Sequence, residues 1–482
     1  MILRKRRTAS VRASRARPAV RSLGALLHGL LLAGGARAAT FDVNSALDAT
    51  DAIPGNGVCE AFPGNGICTL RAAVQESNAL PGIDTINLQA NTTYLLTLVG
   101  AENESVSGSL DFSDSANVVG AGAASTIIDG NGAVTGDRVI QVLPCIRSNC
   151  GNGTVVFNLS GVTLQKGRSQ SGGGLYVPKI SVNGGHAAAQ VALTNCRVAN
   201  NEGQFSGGGI YSEGPFTLID SVVADNSTGV FGGGADFVSS DTVYVSGSTF
   251  SGNDSGLFGG GLLSSGTAAV HVTASTFSGN HAADTGGGMH IASSATVVNS
   301  TVSGNSSGNF GGGISVYGTA SLHNATVVGN TANADKSGTG NGGGIYVYPE
   351  GGASLFNSML ASNSHLTNTL FVVLDDCSGT INSDGYGIVT HATCTINGGY
   401  STAQPLLGPL QNNGGPAPTH ALLAGSPGID AGDPAGCKDD AHNSLATDQR
   451  GLPRTVGGAC DIGAYEVQPD SIFKNGFDLD QP

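Results

Sequence analysis

The stretch TFSGNDSGLFGGGLLSSGTAAVHVTASTFSGN, residues 249–280, repeats itself. Phe250-Ser251-Gly252-Asn253 returns as Phe277-Ser278-Gly279-Asn280, with the triplet Gly259-Gly260-Gly261 between them. Six further triplets start at Gly172, Gly207, Gly232, Gly286, Gly311 and Gly342, mostly 25 to 27 residues apart. A second marker keeps the same step at Asn201, Asn226, Asn253, Asn280, Asn305 and Asn330, then at Asn363 after a longer gap. Two markers in phase separate a structural repeat from a Gly-rich linker.

Alignment on these markers sorts the remaining positions, because strand side chains alternate faces. The residue after each triplet is Leu175, Ile210, Ala235, Leu262, Met289, Ile314 or Ile345, an apolar column that must face a core. The next column is Tyr176, Tyr211, Asp236, Leu263, His290, Ser315 and Tyr346, a mixture that reads as a solvent face. Three residues before each turn Asn stands Val198, Val223, Phe250, Phe277, Val302, Val327 or Leu360, again inward. Two positions earlier lies a small column of Cys196, Ser221, Ser248, Ser275, Ser300, Ala325 and Ser358. Asn195, Asn299, Asn324 and Asn357 precede it at a bend, where Asn can adopt αL or bond the next rung.

A unit of short strands and tight turns cannot bury such columns until neighbours stack about 4.8 Å above and below it. Identical residues then lie over one another, so Asn ladders form and the Gly triplets are expected to turn the chain at positive φ. The fold class is all-β, a parallel β-helix over residues 84–400, with roughly 12 rungs spanning about 60 Å. Residues 39–83 form an N-terminal cap, 401–467 a C-terminal segment and 468–482 a tail.

Composition agrees: 76 Gly, no Trp and 12% charged residues are strand-and-turn chemistry. Residues 1–38 read as a signal peptide: basic from Arg4 to Arg21, apolar from Leu23 to Leu32, with Ala36-Arg37-Ala38 as the cleavage site. That segment holds 9 of the 21 Lys plus Arg and none of the 35 acids, so the remainder carries 12 against 35, a net charge of −23. Such a surface repels phosphate backbones and excludes a nucleic-acid partner, leaving cations and neutral saccharides. No later run reaches about 18 apolar residues, so no transmembrane segment is expected in the mature chain. Nine cysteines in an exported chain suggest disulfides, most simply Cys59–Cys68, Cys145–Cys150, Cys377–Cys394 and Cys437–Cys460, with Cys196 a buried free thiol in the small column.

The Phe-Ser-Gly-Asn tetrads with their Gly-Gly-Gly-apolar turns resemble the repeats of the polymorphic outer-membrane protein family, which implies a right-handed parallel β-helix at a cell surface. Cys68-Thr69-Leu70-Arg71-Ala72-Ala73-Val74-Gln75-Glu76-Ser77-Asn78-Ala79 resembles the opening segment of CSLREA-type secreted proteins, departing from it at Thr69 and Ala72. Its physical reading is a short amphipathic helix capping the open end of the solenoid. Gly425–Gly432, Thr447–Gly451 and Asp461–Glu466 resemble the choice-of-anchor Q module. An outer-membrane autotransporter would add a series of strands of about 10 residues forming a barrel, and none is present here. The resemblances imply a protein that is secreted, extracellular or attached to the outer surface of a Gram-negative cell.

Chemistry is sparser. Asp375-Asp376 is the best paired carboxylate and the catalytic candidate, set against a solvated loop tied by Cys377–Cys394. Tyr176, Tyr211 and Tyr346 point outward and are candidates for stacking on sugar rings. Asp430, Asp433, Asp439, Asp440 and Asp448 offer the hard oxygens calcium prefers, without the spacing of a calcium loop; alternatively, Asp448 and Asp461 pair with Arg450 and Arg454 to pin the C-terminal segment. His271, His290 and His323 fall on positions that read as mostly exposed. The tail's Ile472–Asp478 core is a floppy end or an attachment tag. The leading expectation is a non-enzymatic secreted or cell-surface protein, adhesin-like, with a glycan or envelope partner and no cofactor unless calcium. The alternative is a carbohydrate-active β-helix enzyme, a polysaccharide lyase or glycoside hydrolase. Capped ends favour a monomer.

Overall fold

The computed structural model describes residues 38–144, 154–182, 185–336, 340–369, 371–454 and 458–468. The leader through Arg37, the Cys145–Cys150 pair and the tail beyond Gln468 lie outside the described residues.

Each middle rung supplies four short strands, as in Leu262–Ser264, Ala269–Thr273, Thr276–Ser278 and His281–Ala282. Equivalent strands pair in parallel, so that Val245 faces Val272, Phe250 faces Phe277 and Leu262 faces Met289. The result is four long sheets of 13, 11, 10 and 9 strands, wound as a right-handed parallel β-helix. Twelve of the 13 strands in the largest sheet lie between Asp84 and Asn397; the first, Thr40–Asp42, comes from the cap. Inside, the columns after the triplets and before the Asn turns are fully buried, and Phe250 and Phe277 stack with centroids 4.7 Å apart.

The turn asparagines form one continuous ladder. Asn280 Nδ2 donates to Asn305 Oδ1 at 2.9 Å and to the Phe250 carbonyl at 3.0 Å. Its Oδ1 accepts from Asn253 Nδ2 at 2.9 Å and from the Asn253 backbone N–H at 3.1 Å. The same pattern runs from Asn201 to Asn363, so every buried amide of the ladder is paired. Of each Gly triplet, only the first member takes positive φ, between 58° and 72°. The second and third are Gly because the next rung passes too closely: a Cβ on Gly260 would strike the carbonyls of His281 and Gly287.

The mixed column after the triplets is not a solvent face. Asp236, Leu263, His290 and Ser315 are buried. The chain entering each triplet folds over them: Ser206, Phe231, Phe258 and Thr285 bridge from rung to rung, and the Phe258 ring stacks on His290 at 5.0 Å. Period-two patterning cannot foresee this layer, because it comes from the turn and not from the strand. His323 is likewise buried, stacked on Phe356 at 4.4 Å, while half-buried His271 stacks on Tyr244.

At the N-terminal end, helix Leu70–Ala79 closes the solenoid, with Thr69 Oγ1 accepting from the Ala72 N–H at 3.1 Å as its cap. Arg71 is fully buried, its Nε 2.6 Å from Asp48 Oδ1, and Nη2 donates to the Gly108 carbonyl. At the other end, the hairpin Leu407–Gln411 with Thr419–Leu422 reverses the chain. The segment that follows returns along the outer face of the 11-stranded sheet. Thr301 Oγ1 donates to Gln449 Oε1 at 2.6 Å, Ala464 N–H donates to Thr326 Oγ1, and Ile462 and Leu422 pack on Met359. The bend asparagines adopt αL, with φ of 46° to 52°, and chiefly hold this strap: Asn299 bonds Thr447, Asn324 bonds Lys438 and Asn357 bonds Asp461.

Candidate functional site

Asp375 and Asp376 are not in a solvated loop; both are fully buried near the C-terminal end of the solenoid. They stand where earlier rungs carry the second and third triplet glycines, since Ile345 N–H bonds the Asp376 carbonyl as Ile314 N–H bonds that of Gly344. Asp376 ends the amide ladder. Its Oδ1 accepts from Asn363 Nδ2 and N–H at 2.8 and 3.0 Å, and its Oδ2 from Thr390 Oγ1 and the His391 N–H at 2.6 and 2.8 Å. Four donors on one carboxyl group terminate the chain of amides. Asp375 faces elsewhere, with Oδ2 2.9 Å from His365 Nδ1. The two acids therefore share no substrate position.

The outward column has a part that the Gly markers could not reveal, because the first two rungs lack triplets. Register extends it backwards from Tyr211 and Tyr176 to Gln141 and Asp111. Around it gather Asp137, Arg138, Glu213 and Asp236, carboxylates and a base across neighbouring rungs. Arg138 lies over the Tyr176 ring at 4.2 Å, Tyr176 stacks on Tyr211 at 5.3 Å, and Tyr211 Oη donates to Glu213 at 2.7 Å. Burial pushes Asp111 up to about 7 and Asp236 up to about 6. Yet these groups satisfy one another: Ser105 N–H and Ser109 Oγ bond Asp111, and Ser206 and Ser265 hydroxyls bond Asp236. Asp111 and Asp236 are too deeply buried to meet a polymer.

Tyr346 belongs to an open site. Phe310 covers one of its faces at 4.4 Å, Tyr348 stands perpendicular to it at 4.8 Å, and Tyr317, half-exposed, meets Tyr348 edge-on at 5.6 Å. Together with Val347, Pro349, Gly351, Ser378, Gly379 and Thr380, Tyr346 and Tyr348 line a groove of about 340 Å³. Its aromatic corner and hydroxyl-bearing wall combine apolar faces with hydrogen-bonding groups. Tyr317 and Tyr348 escaped the sequence reading because they lie past the strand column, in the turns after it.

The C-terminal acids are dispersed. Asp439 accepts from the Ala441 and Asn443 N–H groups, Asp433 takes Lys438 at 3.4 Å, and Asp440 stands 4.0 Å from His271. The Asp430 N–H donates to Asp461 at 2.8 Å. Among the described residues no group of three or more His, Cys, Asp or Glu is placed to hold a metal ion. Arg450 pairs with Asp448 at 2.7 Å and covers the Tyr465 ring, whereas Arg454 stands 3.4 Å from Glu466 and donates to the Asp461 and Gly463 carbonyls and to Asn299 Oδ1. Cys59–Cys68, Cys377–Cys394 and Cys437–Cys460 are disulfides, and Cys196 is a buried thiol pushed up to about 11 by burial. No helix among the described residues is long and apolar enough to cross a membrane.

No family model matches the chain, and no curated protein matches it. Among solved structures it is similar to the crystal structure of pectate lyase Pel9A, at 15% identity and a TM-score of 0.49, over 90% of this chain and 98% of that one. That likeness is one of backbone path and carries nothing about activity.

Proposed function

We propose that this chain is a secreted or cell-surface protein, adhesin-like or an envelope-contact module, that grips a neutral saccharide in the groove lined by Tyr346 and Tyr348, with Tyr317 edge-on to Tyr348. The observation that carries the reading is the aromatic corner itself: two perpendicular rings beside the Ser378 and Thr380 hydroxyls offer sugar C–H faces a stacking surface and sugar hydroxyls a partner. Export accords with the three disulfides among the described residues, since such bonds persist in oxidising compartments. Resemblance to CSLREA-type and choice-of-anchor Q proteins belongs to the same reading: the first motif supplies the capping helix and buried Arg71, the second the strap. A Gram-negative surface and a monomeric state complete the proposal.

The alternative, a carbohydrate-active enzyme, draws on Arg138, which lies over Tyr176 beside the column of Gln141, Tyr176 and Tyr211. One experiment separates the two. The purified chain is titrated with neutral and acidic polysaccharides, reading heat of binding and release of reducing or unsaturated ends together. Binding without release, weakened in Tyr348→Ala, supports the proposal; release of ends by the wild type overturns it.

A further inference from the structure

At the end of the nine-stranded sheet, Ser364–Leu366 pairs antiparallel with Val372–Leu374. In the preceding rungs the column now occupied by His365 holds small residues: Ala282 faces Ser307, and Ala332 faces His365 itself. Asp375 likewise stands where those rungs carry the second triplet Gly. Two small-residue columns thus change together in one rung, and the new side chains meet, with His365 Nδ1 2.9 Å from Asp375 Oδ2.

The carboxylate is fully buried and held from three sides. Besides His365, its Oδ2 accepts from the Gly342 N–H at 2.7 Å. Its Oδ1 lies 2.6 Å from Thr393 Oγ1, whose single proton is shared with the Cys377 carbonyl at 2.7 Å. A carboxylate accepts, so in the neutral imidazole the proton sits on Nδ1 and the lone pair is left on Nε2. The His365 side chain is 20% exposed and lines a groove of about 390 Å³ with Asn333, Leu366, Thr367, Asn368 and Thr369. Among the described residues the groove's lining is rich in hydroxyl and amide groups and holds no Lys or Arg. An oriented acceptor at a neutral, hydroxyl-rich wall suits a ligand that donates from its own hydroxyls.

We propose that the His365–Asp375 pair is a second recognition site, in which His365 Nε2 accepts a hydrogen bond from a hydroxyl of a neutral saccharide or polyol end. Asp375 is a positioning residue that fixes the tautomer. The site shares no residue with the tyrosine groove and stands or falls independently of it.

The test is long-range ¹H–¹⁵N spectroscopy of the imidazoles in the full chain. Spectra are recorded free and during titration with glycerol and with neutral hexasaccharides of glucose, xylose and mannose. The free spectrum is expected to show His365 as the Nδ1–H tautomer, and at least one probe is expected to shift its Nε2 resonance saturably. Asp375→Asn is expected to mix the tautomers and weaken that binding about tenfold, the loss of one good hydrogen bond. Tyr348→Ala is expected to leave it unchanged, which separates this site from the tyrosine groove. An Nε2–H tautomer, or an Nε2 resonance unmoved by every probe, overturns the proposal. Both are read on the wild type, so the conclusion does not depend on a variant folding.

Discussion

Replacing Asn280 by Ala cuts the amide ladder at its centre. Four hydrogen bonds disappear: two donated by Asn280 Nδ2, to Phe250 and Asn305, and two accepted by its Oδ1 from Asn253. At about 1 kcal/mol net per bond the loss is about 4 kcal/mol, and orphaning the buried Asn253 donors carries it toward about 6 kcal/mol. Asn280→Asp keeps an acceptor for Asn253 but sets a carboxylate against the Phe250 carbonyl and Asn305 Oδ1, so it destabilises at least as much at neutral pH and recovers on acidification. The assay is guanidinium unfolding followed by far-UV circular dichroism and tyrosine fluorescence, the chain having no Trp. The control is Asn397→Ala, which removes an exposed side-chain bond to Asn382 and is expected to change stability by less than about 0.5 kcal/mol. A loss below about 1 kcal/mol for Asn280→Ala would refute the ladder as a main support of the turns.

Burial, reinforced by Glu102 and Asp137, raises Asp111 to about 7, so folding favours its protonated form. That contribution is complete below the ordinary carboxylate value of 3.8 and is lost as pH rises through about 7. Asp111→Asn is therefore expected to gain on the wild type across that window by about 4 kcal/mol in denaturant titrations; a pH-independent difference would contradict the assignment. Arg454→Met strips the buried Glu466 of its cationic partner and is expected to cost about 3–5 kcal/mol. Hydrogen exchange should show faster exchange in residues 447–466 and in the strands they cover, while the rungs around Asn201 stay protected. Cys196 is expected to resist a thiol reagent until denaturant is added, as read on its peptide by mass spectrometry; rapid native labelling would place it outside the core.

The rungs were legible because stacking forces equivalent residues into register, so two phased markers specify the strands, the buried columns and the asparagine turns. What hid lay off the repeat. Asp111 and Gln141 belong to the same column as Tyr176, but the rungs that carry them have no triplet to align on. The burial of Asp236 and His290 depends on side chains that arrive from the turn before the triplet, at positions as unlike as Phe231, Phe258 and Thr285. The strap was visible only as motifs, since contacts such as Thr301 with Gln449 join residues far apart in the chain and leave no periodic trace. Asp375 and Asp376 read as a pair because they are adjacent, whereas the backbone turns one toward the ladder and the other toward His365.

The central functional claim rests on the corner made by Tyr317, Tyr346 and Tyr348, and calorimetric titration of the wild type and Tyr348→Ala with neutral oligosaccharides tests it most directly. The account predicts saturable binding by the wild type, a loss of about 1–3 kcal/mol in the variant as for a removed aromatic anchor, and unchanged thermal stability of the rungs. Equal affinity in both proteins, or binding confined to acidic polymers, would contradict it.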